Sequence, residues 1–187
     1  MLHPPLSPAR RGRRLAGSLL LLLAPLLLAT CDKNDIDIDA LNAQALLRAK
    51  AVRAADSLAI ATYIADSSFA NVQRQPSGLC VVTRVAGTGA LPQVGQQTSV
   101  VYKGTLLNNQ LFDQSPLGPD GKRVPIVFRV GTGQVIAGWD EGIGLLRKGQ
   151  KAILLIPSAL AYGPAGAGNT IRPDTPLRFD VELTDIN

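Results

Sequence analysis

Val135-Ile136-Ala137-Gly138-Trp139-Asp140-Glu141-Gly142-Ile143-Gly144-Leu145-Leu146 is the stretch on which the fold turns. Ile136, Trp139, Ile143 and Leu146 recur at i, i+3, i+7 and i+10, which predicts a short helix with one apolar face. Lys148 and Gly149 supply its stop. The helix holds the only tryptophan of the chain and three glycines, Gly138, Gly142 and Gly144. Each glycine weakens a helix by about 1 kcal/mol relative to alanine. A helix of that composition is expected only where tight packing or a site holds it in place.

On both sides of this helix the chain reads as short strands separated by turns. Residues 151–156 are an apolar strand. In residues 177–186, Leu177, Phe179, Val181 and Leu183 fall on one face and Arg178, Asp180, Glu182 and Thr184 on the other. Upstream, residues 79–85 form a strand that ends at Gly87-Thr88-Gly89. Residues 99–104 form another, Asn108-Asn109 marks a hairpin tip, and residues 126–130 form a further strand. Residues 116–123 and 163–168 are too rich in Gly and Pro for anything but loops. The 18 glycines and 13 prolines fit strands and turns better than a helical bundle. The fold class is therefore α+β, an antiparallel β-sheet wrapped around one short helix.

Residues 38–69 differ in texture. They are alanine-rich and contain no Gly or Pro, which predicts helix. Leu41, Ala45, Val52, Ala55, Ala59 and Tyr63 approximate one face, and Leu47, Ala51, Ala54, Leu58 and Ala65 widen the apolar stripe. Either the domain itself or a second copy, as a homodimer through this helical extension, would cover it. Gln75-Pro76-Ser77-Gly78 reads as a linker.

Residues 1–30 read as an export signal. Arg10, Arg11, Arg13 and Arg14 make a basic start, and Leu15 to Ala29 make an apolar run of about 15 residues, short of the roughly 20 that span a bilayer. Leu28-Ala29-Thr30-Cys31 then resembles a bacterial lipobox, with Thr30 where a smaller residue is usual. On that resemblance Cys31 is lipidated, and Asp32, Asp35, Asp37 and Asp39 form an acidic tether. The expected organisation is 1–30 signal peptide, 31–39 lipidated cysteine and tether, 40–74 helical extension and linker, and 75–187 the folded domain. The expected location is the bacterial cell envelope, with the protein held to the membrane by its lipid anchor.

Charge and missing residues exclude much chemistry. The formal charge of +5 comes mainly from the leader, whose four arginines leave 15 basic side chains against 14 acidic ones from Cys31 onward. Such a balance argues against a nucleic-acid partner. The one histidine is His3, so removing the leader removes it, and with it any Ser-His-Asp or Cys-His catalysis and any His-ligated metal site. No metal or cofactor is expected. Gly131-Thr132-Gly133 is followed by its next glycine only at Gly138, and Gly121-Lys122 by Arg123, so neither a dinucleotide fingerprint nor a P-loop exists there. HExxH, CxxC and GxSxG are absent. Cys80, in the apolar run Leu79-Cys80-Val81-Val82, reads as a buried strand thiol.

Several blocks in order carry a family resemblance: Val101-Tyr102-Lys103-Gly104, Phe112-Asp113-Gln114-Ser115, Val135 to Gly142, Ile156-Pro157 with Ala161-Tyr162-Gly163, and Leu177 to Leu183. Together, from about Gly78 to the end, they resemble the FKBP-type peptidyl-prolyl cis-trans isomerases, in the exported form with a helical N-terminal extension. The resemblance implies an apolar pocket floored by Trp139 and lined by Tyr102, Phe112, Asp113, Val135, Ile136, Tyr162, Ile171 and Phe179. It implies that Trp139, Phe179 and Val135 hold a proline ring. The Ile136 N–H and Tyr162 hydroxyl would hold the substrate backbone. Asp113, with Tyr102 near it and Lys122 or Arg123 as its ionic partner, would make a polar contact to the twisted amide. Two positions depart from the pattern. Ile126 follows Pro125 where the family usually has an aromatic, and Ala167 stands near the place of a common loop histidine. The implied partners are proline-containing polypeptides, whose folding the enzyme would assist. A binding module that holds chains with little turnover is the competing reading.

Overall fold

The computed structural model describes residues 37–187; Cys31, the export signal and most of the acidic tether lie outside the described residues. The described part opens with helix α1 (Ile38–Asp66). It continues through strands β1 (Val72–Arg74), β2 (Cys80–Val85), β3 (Gln97–Leu106), β4 (Leu111–Gln114) and β5 (Ile126–Arg129), helix α2 (Ala137–Gly144), and strands β6 (Lys151–Ile156) and β7 (Leu177–Ile186). The sheet order is β1-β2-β6-β7-β3-β4, and β5 also pairs with β3. Every pairing is antiparallel. Strand β3 meets β5 through residues 97–100 and β4 through residues 103–105, so one long strand carries two short neighbours in tandem.

Strand β6 shows how the sheet is covered on both faces. Side chains alternate along a strand, yet Ala152 to Ile156 are all buried. Leu154 and Ile156 join the main core with Trp139, Ile143 and Phe179. Ile153 and Leu155 face a second core with Cys80, Val82 and Ile60 of α1. Strand β7 keeps the expected alternation, with Leu177, Phe179, Val181 and Leu183 buried in the main core.

The glycines of α2 have a packing reason. A Cβ on Gly138 would come within 2.3 Å of Ile156 Cγ2, and one on Gly142 within 2.8 Å of Leu154 Cδ1. The helix therefore lies directly on β6, closer than any larger residue permits. It is also shorter than the periodicity predicts. Val135 and Ile136 belong to its approach, and Ile136 has extended backbone angles (φ −57°, ψ 146°) at the N-cap.

Helix α1 begins at Ile38, so Asp39, assigned above to the tether, lies in its first turn, where a carboxylate faces the positive end of the helix dipole. It stops at Asp66 rather than residue 69, and Ser68 and Asn71 turn the chain with φ of 50° and 58°. Ile60 is fully buried and Tyr63 and Ile64 pack partly against the same core, so this end of the stripe is covered by the domain. Leu41, Leu46, Leu47 and Leu58 are exposed. Strand β1 pairs with β2, which puts residues 72–74 in the sheet rather than in a linker. Within the loop 163–168, Gly163–Ala165 winds one 3-10 turn. Among the described residues no helix is long and apolar enough to cross a membrane.

Candidate active site

The approach to α2 is held by Asp140, in the first turn of the helix. Its carboxylate accepts the N–H groups of Gly131 (2.9 Å) and Gly133 (2.7 Å), both glycines with φ above 70°. This fixes the loop before Gln134, Val135 and Ile136. The Ile136 carbonyl accepts the Trp139 and Asp140 N–H groups, as a helix start requires. The Ile136 N–H has no acceptor among the described residues. Trp139, buried on α2, sits at the centre of an aromatic cluster. Tyr102 of β3 and Phe179 of β7 meet it edge to face, with centroids 5.1 and 5.3 Å away, and Phe128 of β5 lies at 5.8 Å. Such pairs add about 0.5–1.5 kcal/mol each beyond area burial.

Above Trp139 opens a cavity of about 300 Å³, lined by Tyr102, Asp113, Ile126, Gln134, Val135, Ile136, Trp139, Tyr162 and Phe179. Seven of these lie in the pattern carried by the family resemblance, and Ile126 occupies the wall position where that pattern has an aromatic. Gln134 was missed. Its only signal is that it directly precedes Val135, and its side-chain oxygen accepts the Arg129 N–H. Phe112 and Ile171, expected on the cavity wall, do not line it. Phe112 stacks edge-on behind Phe179 at 5.4 Å, and Ile171 is buried in the core, paired with Ala167 through two backbone hydrogen bonds. Gly104 makes the Phe112–Phe179 contact feasible, because a Cβ there would meet both rings at 2.7–2.9 Å.

The rim is polar. Asp113 Oδ2 accepts the Tyr102 hydroxyl at 2.6 Å, and its Oδ1 accepts the Gln114 N–H at 2.8 Å. The expected ionic partner is not Lys122 or Arg123. No ion pair joins either to Asp113 among the described residues, and the Arg123 guanidinium donates to the Ser115 carbonyl instead. Burial, then the hydrogen bond and charge of Asp113, raise the Tyr102 pKa well above that of a free tyrosine. Burial and the Asp113 charge also raise that of Tyr162. Both hydroxyls therefore keep their protons at neutral pH, and Tyr162, 38% exposed, lines the cavity.

Among the described residues no histidine, thiol or activated nucleophile lines this cavity. A slot with an aromatic floor and a carboxylate, a phenol and a backbone N–H among its lining groups suits an apolar ring joined to a polar backbone, held without covalent chemistry. Residues 89–184 match the family model of the FKBP-type peptidyl-prolyl cis-trans isomerases. FK506-binding protein 1 of Saccharomyces cerevisiae is 45% identical over 102 residues, 54% of this chain and 86% of the relative. FK506-binding protein 4 of Dictyostelium discoideum is 44% identical over 108 residues, which span 58% of this chain but only 28% of that longer protein. The crystal structure of a peptidyl-prolyl cis-trans isomerase from Pseudomonas syringae superposes with a TM-score of 0.61 at 33% identity, over 74% of this chain and 95% of the other. The chain belongs to the FKBP-type peptidyl-prolyl cis-trans isomerase family, and its fold is the FKBP fold preceded by an N-terminal helix.

Proposed function

We propose that the protein isomerises X-Pro bonds of exported or envelope polypeptides and so assists their folding. The observation that carries the catalytic part is the cavity itself, with Trp139 as floor, Phe179 and Val135 as walls, and Asp113, Tyr162 and the Ile136 N–H around the mouth. An X-Pro amide rotates over a barrier of roughly 18–20 kcal/mol because rotation breaks the resonance across C–N. Its two planar forms differ by only about 0.5–1 kcal/mol, so the task is to lower the barrier and not to shift the equilibrium. The twisted transition state has lost the charge separation of the planar amide, and an apolar cavity favours it over the ground state.

In this reading the proline ring lies on Trp139 between Phe179 and Val135. The Ile136 N–H donates to a substrate carbonyl, and the Tyr162 hydroxyl donates to a second one. Asp113, oriented by the Tyr102 hydroxyl and the Gln114 N–H, faces the rotating amide. No proton is transferred and no covalent bond to the protein forms, so a site without histidine suffices. Ile126 offers a smaller wall than an aromatic would, which weakens the aromatic side of the cavity, and Ile126→Phe should raise activity toward bulky substrates.

The envelope part rests on the leader and on Cys31, with the lipidated cysteine anchoring the protein to the membrane. The exposed apolar residues of α1, Leu41, Leu46, Leu47 and Leu58, support a homodimer through the helical extension. Expression of the full chain and of Cys31→Ser tests the anchor. The wild type should fractionate with membranes and take up labelled acyl chains, and the variant should do neither. Membrane retention that is equal in both, without label, rejects the anchor. A monomeric mass for the mature protein rejects the dimer. Isomerisation of an X-Pro peptide by the purified protein tests the catalytic part.

A further inference from the structure

Asp56, on α1, is the one charged side chain buried among the described residues, 3% exposed. A buried carboxylate is unfavourable unless hydrogen-bonded. A helix face that merely adhered to the domain would carry an apolar residue there, as it does one turn later at Ile60. Asp56 Oδ2 instead accepts both the N–H (2.8 Å) and the hydroxyl (2.7 Å) of Ser158, 102 positions further along the chain.

Ser158 opens the loop that carries Tyr162. It begins a 3-10 turn (Ser158–Leu160) in which the Leu160 N–H donates to Pro157 and the Ala161 N–H donates to the Ser158 carbonyl. Tyr162 follows at once and leads into the second turn, Gly163–Ala165. On the far side of Tyr162, the Asp174 N–H donates to the Gly163 carbonyl at 2.8 Å, and the Asp174 carboxylate pairs with Arg48. Arg48 lies about 12 Å before Asp56 along the same helix, at about 1.5 Å per residue. Helix α1 thus grips the loop on both sides of Tyr162.

We propose that Asp56 is a positioning residue for the isomerisation: through Ser158 it sets the Tyr162 loop, so that the helical extension is part of the working site. This rests on the reading of Tyr162 as a substrate contact. A double-mutant cycle on the full chain tests it, with kcat/KM for an X-Pro peptide measured alongside amide hydrogen exchange. Asp56→Ala should lower kcat/KM roughly fivefold, the scale of one misplaced hydrogen bond. Asp56→Asn, whose side-chain oxygen can accept the same two bonds, should restore most of it. In a Tyr162→Phe background Asp56→Ala should cause little further loss, because both changes act on one contact. The Leu160 and Ala161 amides should exchange faster in Asp56→Ala while those of Leu154 and Val181 stay unchanged. If Asp56→Ala fails to fold, Ser158→Ala, which keeps the backbone bond to Asp56, takes its place in the cycle with a smaller loss. Losses that multiply in the double variant, or exchange that rises evenly over the molecule, overturn the proposal. A wild type without catalysis overturns the Tyr162 reading and the proposal with it, whereas an active wild type with multiplying losses overturns the role of Asp56 alone.

Discussion

The Tyr102 hydroxyl donates to Asp113 Oδ2 at 2.6 Å, joining the edge of the aromatic cluster to the one carboxylate on the cavity rim. It ties β3 to β4 on the side-chain level and leaves Asp113 turned toward the mouth.

Tyr102 makes stability depend on alkaline pH. Its pKa in the folded protein is raised, chiefly by burial and then by Asp113, so above about pH 10 the unfolded chain loses this proton while the folded one keeps it. The folded state then binds more protons than the unfolded, and stability falls as pH rises; below about pH 10 the contribution is complete. The thermal midpoint of the wild type should therefore decline between about pH 10 and 12 more steeply than that of Tyr102→Phe. Parallel melting curves for the two proteins check this, and identical slopes would refute it.

Asp113→Ala and Tyr162→Phe should each lower kcat/KM for an X-Pro peptide about tenfold, or about 1.4 kcal/mol of transition-state stabilisation. The thermal midpoint of Tyr162→Phe should hardly move, since its hydroxyl makes no hydrogen bond within the described protein. Asp113→Ala should lower the midpoint more, because it leaves the Tyr102 hydroxyl and the Gln114 N–H without their acceptor. Peptide kinetics and calorimetry on the same samples separate the two effects.

The glycines of α2 should respond in opposite ways. Gly138→Ala forces a methyl to within 2.3 Å of Ile156 and should destabilise by about 1–3 kcal/mol. The nearest atom to a Cβ on Gly144 is 3.8 Å away, and Gly144→Ala should be neutral or stabilise by up to about 1 kcal/mol. Denaturant unfolding of both variants measures the contrast.

Much of this was legible in the residues, and the parts that were not have physical reasons. Strands β6 and β7 are legible in the residues because an apolar run from Ala152 to Ile156 and an alternation from Leu177 to Thr184 mark them. Strands β1 and β4 are not, since three or four residues such as Val72-Gln73-Arg74 carry too little periodicity. The periodicity puts the start of α2 two residues early because Val135 and Ile136 are apolar for the sake of the cavity and not the helix. Charge favours an Arg123–Asp113 pair, but Arg123 is turned to the Ser115 carbonyl and a phenol takes its place. Asp56 gave no signal, because an acid on an alanine-rich helix reads as solvated until its partner 102 positions away is seen.

Cys80 should resist alkylation in the native protein. It is 1% exposed, and burial raises its thiol pKa, so little reactive thiolate is present at neutral pH. Iodoacetamide should label it only as fast as the protein unfolds, and denaturant should release the protection. Rapid labelling without denaturant would contradict its place in the core with Val82 and Leu155.

The most direct test of the central claim is exchange spectroscopy on an X-Pro peptide mixed with the purified mature protein. The cis and trans signals should exchange well above the uncatalysed rate with the wild type, and about tenfold less efficiently with Tyr162→Phe. Exchange at the uncatalysed rate in the presence of folded wild-type protein would contradict the account.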